Sequence, residues 1–167
     1  WRRTGVGAVY VAAWQVFPDW TYDYQRLIRL AHTNGMMVYA WFEFPHVNEK
    51  LWLDHPEWRE KNAMGKDAVV DWRKPMALGD PACFSAVKAE VRRILNAYDF
   101  DGVVLNRVGW EIGAGYSDPK NFTPFHPTAS GSFKNAHGFA PGKLFDPASR
   151  YFWEKNPQAV ERFASFR

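Results

Sequence analysis

The chain has 167 residues, 47% of them hydrophobic, enough for one core of ordinary size but short of the roughly 250 residues of a complete eight-stranded α/β barrel. Its net charge of +3 is spread among interleaved acids and bases, no Lys/Arg run exceeds two residues, and 23% charged residues is the globular norm. Disorder and nucleic-acid binding are therefore not expected. No stretch of 18 apolar residues offers a membrane span, and the single cysteine, Cys83, excludes an internal disulfide.

In chain order, Trp1-Arg2-Arg3-Thr4-Gly5 has neither a start Met nor a signal-peptide core and reads as a cut end. Residues 7–14 (GAVYVAAW) suit a fully buried parallel strand. After a turn with Pro18 and Asp19, Thr21 or Asp23 can cap a helix whose apolar face is Tyr24, Leu27, Ile28 and Ala31. His32 falls in its last turn, and Asn34-Gly35 supplies the left-handed stop. Residues 36–44 (MMVYAWFEF) repeat the buried-strand pattern, completing a βαβ unit of about 35 residues. Pro45 ends the strand.

A long excursion, 46–79, follows. It holds a short helix near 49–53, a turn at His55-Pro56-Glu57-Trp58, and no long helix. Asp80-Pro81 is a strong helix start, and Cys83, Val87, Val91, Ile94, Leu95 and Tyr98 form the buried stripe of a helix from 81 to about 98. Cys83 on that stripe reads as a core residue. The third strand is 101–108 (DGVVLNRV). A second excursion runs from 109 to about 144. Asp146-Pro147 is expected to start another Asp-capped helix, and Pro157 a last one.

Buried strands alternating with helices mean α/β architecture around a parallel sheet. No GxGxxG or GxxxxGK[ST] phosphate loop occurs. Both excursions follow strands, the side on which barrel enzymes build their sites. An open three-stranded piece would expose sheet edges. The expectation is a partial (β/α)8 TIM barrel with long βα loops, with 1–167 one fragment of one domain and the remainder of the barrel as a necessary partner.

Several residues could carry chemistry. Glu43 is a carboxylate at the end of an apolar strand, which implies either a wet site or an ion pair to an arginine. Trp41, two positions earlier, shares its face. His46 stands at the strand mouth and is either structural or a ligand contact. Asn106 and Arg107 end the third strand, where a buried amide must find partners or a ligand. Glu111 follows Gly109-Trp110, and with Glu43 or Asp19 it could form the carboxyl pair that glycosidases place across a sugar. Asp80, Asp101 and Asp146 read as structural. Nine Trp, seven Tyr and thirteen Phe could line a sugar site or fill a core, and Trp52, Trp58 and Trp72 read as a small loop core. The five histidines show no metal-binding spacing and no Ser sits in a GxSxG elbow, so neither a metal site nor a hydrolase triad is expected.

Residues 98–107 (YDFDGVVLNR) are similar to the YDFDGhhhDR segment of amylase-like and hypothetical-glycosyl-hydrolase barrels. Leu30-Ala31-His32 through Gly35, with 38–43 (VYAWFE), resembles their AHxxGhxVhAWFE segment. His55-Pro56-Glu57-Trp58 with Gly65 resembles their HPEW…G loop, and Asp80-Pro81 with Ala89-Glu90-Val91-Arg92 their DP…EVR helix. The four matches stand in the family's order between about Gly7 and Glu111.

The resemblance implies a polysaccharide-active barrel, secreted or held at the cell envelope, with polysaccharide or oligosaccharide as partner and no cofactor. Asn106 stands at the family's catalytic position; with it Glu111 and Glu43 are expected as catalytic residues, and Trp14, Trp41, His46, Arg107 and Trp110 as sugar contacts. One departure stands out: the family has a nucleophilic Asp where this chain has Asn106, and Asn is a poor nucleophile. An inactivated variant, a carbohydrate-binding pseudoenzyme, or substrate-assisted hydrolysis of an amino sugar would each account for it. Some N-acetylglucosaminidase barrels carry Asn-x-Glu there, but the Glu position is Val108. An isomerase would need a phosphate site that this stretch lacks.

Overall fold

The computed structural model describes residues 1–14, 21–69 and 71–167. Three strands, β1 (Ala8–Ala12), β2 (Met37–Glu43) and β3 (Gly102–Asn106), form a parallel sheet in the order β1-β2-β3. They match the expected strands and are shorter by one or two residues at each end.

The helix α1 (Tyr24–Thr33) joins β1 to β2. Of the two caps offered by the sequence, Asp23 is the one used, accepting the Arg26 N–H at 2.8 Å. Gly35 takes φ +68° just beyond it. The helix α3 (Pro81–Ala97) joins β2 to β3, and Asp80 Oδ1 accepts from the N–H groups of Ala82 (2.9 Å) and Cys83 (3.1 Å).

The register pairs Ala40 with Val103 and Phe42 with Leu105, so these four share a face with Val38. Phe42 and Ala40 pack against Cys83, Val87 and Ile94 of α3, while Val38 packs against Ile28 and Ala31 of α1. Asp101, at the amino end of β3, accepts from the Val38 N–H at 2.6 Å and pairs with His32 at 2.9 Å. That is the structural role expected of it. Val103 and Leu105 continue the face beyond α3 and stay exposed, Leu105 by 59%. The opposite face carries Tyr10, Met37, Tyr39 and Trp41; Tyr10 and Met37 are exposed.

The first excursion contains the short helix α2 (Glu49–Asp54), capped by Asn48, and a 3-10 turn at Pro56–Trp58. Isolated antiparallel bridges, His46 with Pro75 and Arg59 with Met76, fold it back on itself. Trp52 and Trp58 pack against the main core as a local cluster; Arg59 lies 3.7 Å over the Trp52 ring, and His55 stacks on Trp58 at 3.9 Å.

The end of the chain departs from expectation twice. Residues 127–137, read as loop, form the helix α4 (Pro127–His137). Its Ser130-Gly131-Ser132 centre has weak helix propensity, and Phe133 is its one buried residue, so no apolar stripe announced it. No helix follows Asp146. Its Oδ1 instead closes a turn by accepting the Ala148 N–H at 3.0 Å, while Tyr151 stacks on Phe139 at 4.0 Å and holds the backbone in turns. The expected last helix is present as α5 (Pro157–Phe166). Phe133 and Phe163 sit in a second core with Phe122, Phe125, Phe139 and Leu144, which is where much of the aromatic content goes. No helix among the described residues is long and apolar enough to cross a membrane.

Candidate functional site

Parallel strands end together, so β2 and β3 deliver their last residues to one rim. Glu43 and Asn106 are register partners there. Glu43 is only 4% exposed. A carboxylate that deep needs compensation, and two guanidinium groups supply it: Arg73 Nε lies 2.6 Å and Arg107 Nε 3.3 Å from Glu43 Oε1. Glu43 Oε2 receives no hydrogen bond from the described residues.

Arg107 also reaches Glu111, with Nη2 2.7 Å from Oε1. One guanidinium thus joins the two carboxylates that the sequence marks. Its backbone has φ +50°, unusual for a side chain this size, and turns the chain sharply just after β3. Asp71, whose Oδ2 pairs with Arg73 at 3.4 Å, is the other non-glycine residue of this kind among the described residues, at φ +57°. Left-handed residues held in place by their surroundings cluster at functional sites, and here both hold arginines that touch Glu43.

His46 completes the recess formed with Glu43, Phe44, Arg73, Pro75, Arg107 and Glu111. It is 3% exposed. Nδ1 accepts the Lys74 N–H at 2.8 Å, which assigns the ring proton to Nε2. Nε2 is buried with no hydrogen-bond partner among the described residues. Burial, with the nearby positive charge of Arg73, pushes the His46 pKa down to about 4. The ring is neutral near pH 7, and Trp72 meets it edge-on at 5.0 Å.

The other sequence-marked residues distribute unevenly. Asn106 keeps its side chain free of hydrogen bonds to described residues, although its carbonyl accepts from Phe44 N–H at 3.1 Å. Trp41 lies on the face of Glu43, two residues before it. Trp110 stands beside Glu111 and donates from Nε1 to the Arg167 carbonyl at 3.1 Å. Trp14 does not line the recess: it is 3% exposed and packs edge-on against Phe42 (5.0 Å) and Phe44 (5.4 Å), a core ring. Asp19 lies outside the described residues. Arg73 and Asp71 were not singled out by sequence; the only hint was that Glu43 needed an arginine from somewhere. No group of three or more His, Cys, Asp or Glu among the described residues is placed to hold a metal.

Parallel βα units carrying polar residues at the carboxyl ends of their strands are an α/β arrangement compatible with part of a (β/α)8 barrel. The chain is similar in structure to α-L-fucosidase isoenzyme 2 from Paenibacillus thiaminolyticus, with a TM-score of 0.57 and 19% identity, over 99% of this chain and 24% of that one. It is also similar to an α-amylase from Geobacillus thermoleovorans, complexed with acarbose, with a TM-score of 0.46 and 17% identity over 64% of this chain and 31% of that chain. The present chain spans about a quarter of the fucosidase. Neither a family model nor a curated protein matches the sequence.

Proposed function

We propose that this chain forms part of the active-site face of a glycoside hydrolase, acting on a polysaccharide or oligosaccharide. The observation that carries the reading is the Glu43–Arg107–Glu111 arrangement beside Asn106, at the rim where barrel enzymes hold substrate. In this reading Glu43 and Glu111 share the acid and base work, as the two carboxyls of glycosidases do. The neutral His46 ring lies buried beside them, and Trp41 and Trp110 offer apolar ring faces. The Asn106 amide occupies the position of the family's nucleophile. An amide orients a substrate's own N-acetyl group without forming a bond to it, so an amino sugar is the substrate class that suits Asn106 best.

The barrel is completed by further strands in this reading. The edges of β1 and β3, unpaired among the described residues, and the exposed Tyr10, Val103 and Leu105 are the surfaces they would cover.

A second reading is favoured by Asn106 itself: a barrel that binds glycan without cleaving it. The test is reducing-end release from a panel of polysaccharides by the protein that carries this chain, as it stands and as Asn106→Asp. Cleavage by the unaltered protein supports the substrate-assisted route. Cleavage only by Asn106→Asp marks a disabled site, and glycan binding with no cleavage by either form moves the assignment to the second reading.

A further inference from the structure

The two excursions meet at a second cleft of about 290 Å3, whose walls include Glu60, Trp110, His126, Thr128 and Phe166. Glu60 is its most unusual member. It is 1% exposed, yet only one of its oxygens is used. Oε1 accepts three backbone N–H groups, from Lys61 (2.8 Å), Phe125 (3.0 Å) and His126 (2.7 Å). Oε2 is buried without a hydrogen-bond partner among the described residues. Burial pushes the Glu60 pKa up, against the pull of those three amides.

The neighbours cannot serve Oε2, because their own groups are spent. His126 Nε2 is 2.9 Å from the Glu57 carbonyl, and its Nδ1 accepts the Thr128 N–H at 3.3 Å. Thr128 Oγ1 donates to Asp80 Oδ2 at 3.2 Å, while Asp80 Oδ1 caps α3. Arg167, also in the lining, has its guanidinium over the Phe122 ring at 4.7 Å, and its Nε is a buried donor, likewise unpartnered among the described residues. Two residues of the cleft's lining therefore carry a buried, unused group, the Glu60 acceptor and the Arg167 donor, beside the aromatic side chains of Trp110 and Phe166.

A hydroxyl group both donates and accepts, and the C–H face of a sugar ring packs on an aromatic one. A cation would be opposed by Arg167 and an anion by Glu60, so a neutral ligand fits best. The volume lies at the lower edge of the roughly 300–1,000 Å3 typical of small-molecule sites, room for one ring and not for a chain. We propose that this cleft binds a single neutral monosaccharide unit, one of whose hydroxyls donates to Glu60 Oε2. The choice of a sugar over other polyols rests on the glycosidase reading, and the position of Trp110 next to Glu111 makes the cleft an accessory subsite beside the strand mouth.

The test titrates D-glucose, D-galactose, L-fucose and N-acetyl-D-glucosamine into the protein and follows the amide resonances of Phe125 and His126, which report on Glu60. At least one sugar shifts both resonances saturably. Glu60→Gln keeps an acceptor for the amides but replaces Oε2 with a donor, and it weakens that binding roughly tenfold or more. Ala129→Phe, which fills the cleft from α4, abolishes it and covers the case in which Glu60→Gln does not fold. Glu43→Gln leaves the same shifts in place.

Absence of a saturable shift with all four sugars overturns the proposal. So do shifts that vanish in Glu43→Gln and persist in Glu60→Gln, since the sugar then sits at the strand mouth. Polysaccharide cleavage without sugar binding at Phe125 and His126 overturns this inference alone. Sugar binding there without cleavage leaves it standing while the glycosidase reading fails.

Discussion

Arg107 Nε lies 3.3 Å from Glu43 Oε1, although the two residues belong to different βα units. The contact exists because β2 and β3 are parallel and in register to their last residues, Glu43 and Asn106, and because the left-handed turn at Arg107 follows at once. The same guanidinium holds Glu111, so one side chain ties the end of β2 to the second excursion.

The arginines should be unequal. Arg73 is the more buried and makes the shorter contact, so Arg73→Ala strands a buried carboxylate and is expected to cost about 3–5 kcal/mol. Arg107 is about half exposed and solvent can replace part of what it provides, so Arg107→Ala should cost clearly less. Urea unfolding of both variants decides this. Equal losses, or a neutral Arg73→Ala, would mean that Glu43 is solvated by other groups.

His46 gives the fold an acid-sensitive element. Its folded pKa, about 4, lies below the ordinary value of 6.5, so the unfolded chain binds more protons between those limits. Stability from this group is complete above about pH 6.5 and falls as the pH drops toward 4, by on the order of 3 kcal/mol. His46→Gln, whose side-chain oxygen can still accept the Lys74 N–H, should flatten the slope of unfolding free energy in that window. An unchanged slope would refute the assignment.

Glu60 is expected to discriminate sharply between two substitutions. Glu60→Ala leaves the Lys61 and His126 N–H groups without their acceptor, a penalty of about 1–3 kcal/mol for each, while the Phe125 N–H keeps the Lys61 carbonyl at 2.9 Å. Glu60→Gln retains an oxygen in that place and should stay close to the parent. Thermal unfolding measures the difference, and faster hydrogen exchange at those two amides in Glu60→Ala alone would localise it.

Gly102 is required by contact and not by backbone angle. A Cβ there would stand 2.7 Å from the Tyr39 ring, its register partner on β2. Gly102→Ala should destabilise by about 1–3 kcal/mol, and Tyr39→Ala in the same chain should relieve most of that. A double-mutant cycle showing no coupling between the two positions would rule the clash out.

The sheet and its two crossover helices were legible in the sequence because their signals are local. Apolar runs such as 36–42 suit a strand of a covered parallel sheet, and Asp80-Pro81 places a helix start within one residue. The helix α4 was not legible, since Ser130-Gly131-Ser132 weakens it and the packing of Phe133 against Phe163 at 5.1 Å sustains it from elsewhere in the chain. The Asp146 cap misled for a related reason: an Asx turn and a helix N-cap use the same side-chain bond, and only the residues that follow decide between them.

By itself the sequence determined the parallel α/β architecture, the βα order, and the presence of Glu43, Asn106 and Arg107 at strand ends, all of which follow from spacing along the chain. Which side chains meet was decided by tertiary structure. Arg73 lies 30 residues from Glu43 and reaches it because the antiparallel bridge of His46 with Pro75 folds the excursion back. Trp14, marked as a sugar contact by residue type, became a core ring because Phe42 and Phe44 close over it. Charge compensation and burial depend on where distant segments are brought together in space, and a linear pattern carries no record of that distance.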